Sequence, residues 1–254
     1  MSRPLILLGI LVQLLVVPSS KTWAKSPAEL LNDAQAAAAS GDSEAAVRLA
    51  SEAIEADQDL ALAFYVRGRE RFRLGLISES VADFDRYVEL RPSVASRQWE
   101  RGIACYYAKQ YVKGANQFEL YQTYHDNDVE NSVWRYLCMV PTDGVAKARS
   151  TILPVRNDRR VPMMQVLELY RGNLKPNEVL AACGRDDPDE EILSGRLFYA
   201  HLYLGLYHEV AGELSLARKY ISLAADKKLA KNPNVNSYMW DVARIHAELM
   251  EESE

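Results

Sequence analysis

The chain has 254 residues, 48% of them hydrophobic and 26% charged, a balance typical of globular proteins and far from disordered or membrane-embedded compositions. That length suits one large domain or two small ones, with enough apolar material to bury a core. A net charge of −5 argues against broad nucleic-acid binding, which rests on Lys and Arg neutralising phosphates, and only 12 glycines leave little room for phosphate-cradling loops or many hairpins.

The amino terminus reads as an address. Arg3 supplies a positive start and Leu5 to Val17 form an apolar run broken only by Gly9 and Gln13. Pro18-Ser19-Ser20 then interrupts the run before Thr22-Trp23-Ala24. This is the layout of a secretory signal peptide over residues 1–24 with cleavage after Ala24. The run is shorter than the roughly 20 apolar residues a spanning helix needs. No cysteine lies near the junction, so no lipid anchor is evident, and the mature chain is expected in the periplasm or outside the cell.

From Ser26-Pro27-Ala28-Glu29, a capping box with proline at the first helical position, the sequence becomes helical and periodic. Gly41 and Gly75 lie one period apart, as do Gly68 and Gly102, and that period is about 34 residues. It aligns Ala34, Gly68 and Gly102 in one column. A second column holds Ala50, Phe84 and Phe118, and a third Ala53, Tyr87 and Tyr121. Each window carries two apolar runs at helical spacing split by a turn, so each is a helix hairpin. A single hairpin leaves one face greasy, and stacking its copies into a curved solenoid buries that face. The expected organisation of residues 25–254 is one all-α repeat domain, with hairpins at about 27–60, 61–94 and 95–128. Irregular helices follow over 129–184, cut by Pro141, Pro154 and Pro162. A further hairpin over 190–229 opens with Asp187 as cap, and a capping helix spans 235–252. Cys105, Cys138 and Cys183, odd in number, are expected as buried free thiols, with a Cys105–Cys138 bridge as the alternative.

These residues and this period resemble the tetratricopeptide repeat. Arg67-Gly68-Arg69-Glu70-Arg71-Phe72-Arg73-Leu74-Gly75, continued by Ser80 to Pro92, looks like a typical copy. A narrower resemblance runs through Glu100-Arg101-Gly102-Ile103-Ala104-Cys105-Tyr106-Tyr107, Phe118 to Tyr124, Asp126-Asn127-Asp128 and Val133-Trp134-Arg135-Tyr136-Leu137. That stretch is similar to the bacterial envelope lipoprotein family of NlpI, without its lipid-attachment cysteine. The resemblance implies a helical, non-catalytic adaptor that docks envelope proteases or cell-wall hydrolases. Carried over position by position, the repeat pattern implies a partner-binding concave face formed by Tyr65, Arg69, Phe72 and Arg73 of the second copy and Trp99, Ile103, Tyr106 and Tyr107 of the third.

Nothing in the sequence assembles an active site. His201 and His208 share a helix face but stand roughly 10 Å apart, too far for one ion. The acidic run from Asp186 to Glu191 lacks the alternating ligands and central glycine of a calcium loop. No cofactor, metal or nucleic-acid partner is expected, and the chain is not expected to be an enzyme. The expected partner is a protein or peptide. Two alternatives stay open: a structural or self-assembling repeat protein, including a homodimer, whose groove is filled by its own segments, and an enzyme with an unrecognised site within 129–184.

Overall fold

Ser26 opens the first helix as the sequence implies: its Oγ accepts from the Glu29 backbone N–H at 3.3 Å, and the Glu29 carboxylate accepts from the Ser26 N–H at 2.7 Å. The structure is a computed structural model that describes residues 25–252, and the expected leader with its cleavage after Ala24 lies outside the described residues. Twelve α-helices and no strand occur among those residues. The helices are α1 (Pro27–Ser40), α2 (Ser43–Ala56), α3 (Ala61–Arg73), α4 (Ile77–Leu90), α5 (Trp99–Tyr107), α6 (Tyr111–Gln122), α7 (Val129–Ser150), α8 (Met163–Arg171), α9 (Pro176–Cys183), α10 (Glu190–Val210), α11 (Leu214–Ala224) and α12 (Ser237–Glu252). Short 3-10 helices fill Pro92–Arg97 and Lys227–Lys231. The fold is an all-α solenoid of antiparallel hairpins of the tetratricopeptide-repeat type, with α1/α2, α3/α4, α5/α6 and α10/α11 packed in pairs.

The repeat columns have a direct steric meaning. A Cβ built on Gly102 would lie 2.6 Å from Phe118 Cζ, and one on Gly205 2.6 Å from Ile221 Cδ1. Both pairs are sixteen residues apart, so the first helix of a hairpin approaches the second closely only because its side chain is absent. Gly68 faces Phe84 at the same spacing with slightly more room, its Cβ meeting Phe84 at 3.4 Å. In the first hairpin the equivalent positions are Ala34 and Ala50, both fully buried.

An arginine ladder follows the same spacing. Arg67 forks onto Asp83 at 2.9 and 2.7 Å and reaches back to Ser51. Arg101 bonds Gln117 and Asp85, and Arg135 donates to the Thr151 carbonyl at 2.8 Å. Arg135 stands one further period after Arg101, so the beat continues into α7, beyond Val129 where the sequence reading has it decay.

Other local expectations are corrected. Pro141 does not end a helix: α7 continues through it and breaks at Gly144, whose φ of 80° and ψ of 162° leave the helical region. Asp189, not Asp187, caps α10 by accepting from the Ile192 N–H at 2.8 Å. Asp187 is in the left-handed region and lies outside the helix. The three cysteines are free and buried. Burial pushes the Cys105 and Cys183 thiols up to about 11, and Cys138 higher still.

Two cores result. A small one of Leu30, Leu31, Ala34, Ala50, Ala53, Ile54, Ala63, Phe64 and Val66 holds the first hairpin to the start of α3. A much larger one runs from Phe72 to Met250. α12 draws the far end of the chain back onto α3: Arg73 Nε pairs with Asp241 at 2.8 Å and the Tyr238 ring stacks on Phe72 at 4.9 Å.

Candidate functional site

The eight concave-face positions all lie on α3 and α5, one helical stripe on each. Phe72 and Ile103 are 0% and 1% exposed and belong to the large core. Trp99 sets its edge against Tyr238 at 5.3 Å. Tyr107 is hydrogen-bonded through its hydroxyl to His246 Nδ1 at 3.0 Å and packs edge-on to Phe72. Tyr106 lies among Tyr107, Tyr111 and Trp134. Burial drives both Tyr106 and Tyr107 well above the usual phenol range. Thus α12 packs onto Trp99 and Tyr107 beside α5, the self-filled arrangement that the sequence reading kept as an alternative, and leaves an opening of about 320 Å³ where Tyr106 and Tyr107 face Glu209, His246 and Met250.

The part beside α3 is different. Tyr65 donates to Glu100 at 2.9 Å and Arg69 pairs with the same carboxylate at 3.3 Å, its guanidinium lying over the Tyr65 and Tyr238 rings. Burial raises Glu100 above the usual carboxylate range, opposed by Arg69 and Tyr65. On the other side of these residues a groove of about 310 Å³ stays open between α1 and α3, lined by Gln35, Ala38, Ala39, Leu62, Tyr65, Val66, Arg69, Glu70 and Arg73, with Ser237 at the start of α12 closing one end. Three of the eight positions, Tyr65, Arg69 and Arg73, line this groove. The small side chains of α1 leave that space free.

A second opening, of about 210 Å³, lies where α5, α6, α7, α10 and the start of α12 converge. Trp99 and Ile103 belong to the positions read from sequence; Asp128, Glu130, Asn131, Trp134 and Arg160 do not, although Trp134 and Asp128 fall in the stretch that carries the family resemblance. Arg160 bonds Asp128 at 2.7 Å, Glu130 at 2.5 Å and Asp158 at 2.5 Å, and Glu130 also accepts from the Tyr203 hydroxyl. Burial raises the Glu130 carboxyl, with Arg160 opposing it. Burial would raise Asp158 as well, but the bonds from Arg160 and the Val129 N–H hold it below the usual range. Asp128 and Glu130 lie 32 and 30 residues before Arg160, and no local spacing announces such a cluster.

His201 and His208 flank the Tyr220 ring, stacked at 5.9 and 5.5 Å, a packing role. Among the described residues no group of three or more His, Cys, Asp or Glu is placed to hold a metal ion, and no helix is long and apolar enough to cross a membrane.

No protein-family model matches the chain. Among solved structures it is similar to one described as the MamA RS-1 ArsTM double mutant, at 15% identity and a TM-score of 0.46, over 82% of this chain and 97% of that one. A likeness that weak adds nothing to the helical-repeat architecture, which rests on the helices and column contacts above.

Proposed function

We propose that this protein is an exported, non-catalytic adaptor of the cell envelope that holds a segment of a partner polypeptide against the open part of its concave face. The observation that carries this reading is the groove between α1 and α3, where an aromatic ring and guanidinium groups meet small and aliphatic side chains in a space about 310 Å³ in volume. Such a surface packs on apolar side chains; Arg73 is engaged by Asp241, Glu70 and Ser237, so the Arg69 guanidinium, paired with Glu100 through Nε, is the one placed to bond carbonyls or a carboxylate. The export reading rests on residues 1–24, and the partner classes, envelope proteases and cell-wall hydrolases, rest on the resemblance to the NlpI family.

Ala39 is exposed on α1 and Leu62 is 37% exposed on α3, so neither anchors the core. In capture from envelope extract by the mature chain, Ala39→Trp and Leu62→Asp each abolish recovery of the partner that the unaltered chain retains, with helical circular dichroism and melting unchanged. Undiminished capture by both variants overturns the groove reading. A structural repeat protein is the second reading, supported by α12 filling the hollow beside α5. It predicts no captured partner, and light scattering separates a homodimer from a monomer.

A further inference from the structure

Three charged residues line the groove between α1 and α3: Arg69, Glu70 and Arg73. Arg73 is engaged by Asp241, Glu70 and Ser237, and Glu70 also accepts from the Ser43 hydroxyl. Arg69 differs. Its guanidinium carbon lies over the Tyr65 ring at 5.8 Å and the Tyr238 ring at 5.4 Å, and its acid is Glu100, 3.3 Å from Nε. That approach is a charge contact without a hydrogen bond: Nε is buried with no acceptor, and neither Nη1 nor Nη2 donates to any described residue. Unmade bonds of a cation are costly, and a carboxylate is the group that makes them best. Glu100 does so poorly. It is 4% exposed, and its carboxylate accepts from the Tyr65 hydroxyl at 2.9 Å. Burial disfavours its charge, and a contact of this quality offsets little of that penalty.

We propose that Glu100 competes with the bound segment for Arg69: an acidic side chain of that segment takes over the guanidinium, and Glu100 takes up a proton from solvent as it releases the cation. The inference rests on the groove reading and names the occupant's chemistry, an apolar stretch of polypeptide that carries a glutamate or aspartate. A carboxylate accepts two parallel bonds from one guanidinium, which a backbone carbonyl does not. The groove continues one helical turn past Arg69 to Arg73 and Ser237, so a bound chain runs beside the guanidinium and meets it with a side chain rather than with its end. The groups around Glu100 are Tyr65 and Arg69 from α3 and Tyr238 from α12, with Tyr87 of α4 against the Tyr65 ring. Glu70 also acts on Arg69. None of these is a histidine, so Glu100 is the group that exchanges a proton here. Burial already holds its carboxyl above the usual range, and sharing Arg69 with a second carboxylate raises it further. Proton and acidic segment therefore favour each other, and binding weakens as pH rises through the raised value of Glu100.

The probes are two peptides, acetyl-Leu-Ala-Glu-Ala-Leu-amide and its glutamine counterpart, titrated into the full mature chain and followed by NMR. The glutamate peptide is expected to bind about tenfold more tightly at pH 5.5 than at pH 8, and the glutamine peptide to bind weakly and equally at both. Glu100→Gln leaves an amide oxygen to accept from Tyr65 and no anion to compete. It is expected to hold the glutamate peptide at pH 8 as tightly as the unaltered chain does at pH 5.5, with no pH dependence. Should that variant alter the fold, Arg69→Gln serves instead and abolishes the preference for glutamate over glutamine. Binding of both peptides with equal affinity, or a glutamate preference that does not change with pH, overturns this inference and leaves the groove reading standing. Failure of both peptides to bind at either pH overturns the two together. Tighter binding of the glutamine peptide when its carboxy terminus is left free overturns the choice of a side-chain carboxylate.

Discussion

The first hairpin and the third follow one plan with different materials. Both place a small residue sixteen positions before the residue it faces, but α1/α2 sets Ala34 and Ala50 at the crossing whereas α5/α6 sets Gly102 under Phe118. The alanine pair fills its crossing without a ring and joins a core of nine buried residues; the glycine-and-ring pair joins a core that spans most of the chain. The consequence reaches the surface. Small side chains on α1 leave a groove open beside α3, while the large ones on α3 and α5 draw α12 into the rest of the hollow. Along one continuous wall, side-chain volume thus separates the stretch bounded by α1 from the stretch that α12 packs against.

Removing the helix that makes the covered half has the largest effect. Tyr238 is fully buried, stacks on Phe72 and meets Trp99 and the Arg69 guanidinium. Tyr238→Ala is expected to cost about 3–5 kcal/mol, as truncation of a buried aromatic does. Leu31→Ala in the small core is expected to cost about 2–3 kcal/mol, because its neighbours are fewer and can relax. Urea unfolding measures both. Should Tyr238→Ala prove the milder of the two, α12 is loosely docked and the concave wall is open along its whole length.

Cysteine reactivity tests the same contrast without perturbing the large core. The native thiols all lie in it, and the values near 11 for Cys105 and Cys183 imply alkylation by iodoacetamide at pH 8 about a hundredfold slower than for an ordinary thiol. A cysteine introduced by Ala53→Cys in the small core is expected to react faster than any of them, since a small hairpin at the end of a solenoid opens locally at lower cost. Mass spectrometry of the labelled chain ranks the sites. Equal protection throughout means that the two cores unfold as one unit.

Gly205→Ala sharpens the steric side of the comparison. Its new methyl meets Ile221 at 2.6 Å, which calls for a loss of about 1–3 kcal/mol in a thermal or urea melt. The reverse experiment in the first hairpin, Ala34→Gly, is expected to cost only about 1 kcal/mol, from helix propensity together with a small void.

These differences also explain what was legible in the sequence. Hairpins are local, so their helix spacing, glycines and period are read directly; the column of Gly68 and Gly102 corresponds to real close approaches, and Gly205 makes the same approach in the α10/α11 hairpin. The arginine ladder is partly legible: Arg67 and Arg101 each stand directly before a column glycine one period apart, and the same count leads to Arg135. A self-filled hollow stands as an alternative in the sequence, but which segment fills it is not legible, because that depends on Arg73 meeting Asp241 and Tyr107 meeting His246 across more than a hundred residues. Helical periodicity specifies which face of α12 is apolar but not which wall receives it. The Arg160 cluster escaped for a related reason: a loop between helices brings it to the start of α7, where no regular spacing operates.

The smallest effect concerns a position where the repeat departs from its own pattern. The turn inside each of the first three hairpins needs one residue in the left-handed region, and it recurs at the 34-residue period: Gly41 at φ 84°, Gly75 at 74° and Lys109 at 58°. Glycine adopts that conformation freely, whereas a side chain meets the following carbonyl at a cost of about 1–2 kcal/mol. Part of the relief from Lys109→Gly is offset by the greater backbone entropy of glycine in the unfolded chain, about 0.5–1 kcal/mol. The net expectation is a gain of up to about 1 kcal/mol in urea unfolding. Gly75→Ala, the same exchange in the opposite sense at the same turn of the preceding hairpin, is expected to lose a similar amount, since open space around it leaves backbone strain as the main term. A loss on Lys109→Gly would mean that the lysine side chain, which lines an opening with Tyr106 and Glu209, contributes more by its contacts than its backbone strain costs. That result would make the third hairpin, unlike the first two, dependent on the carboxy-terminal half for its own turn.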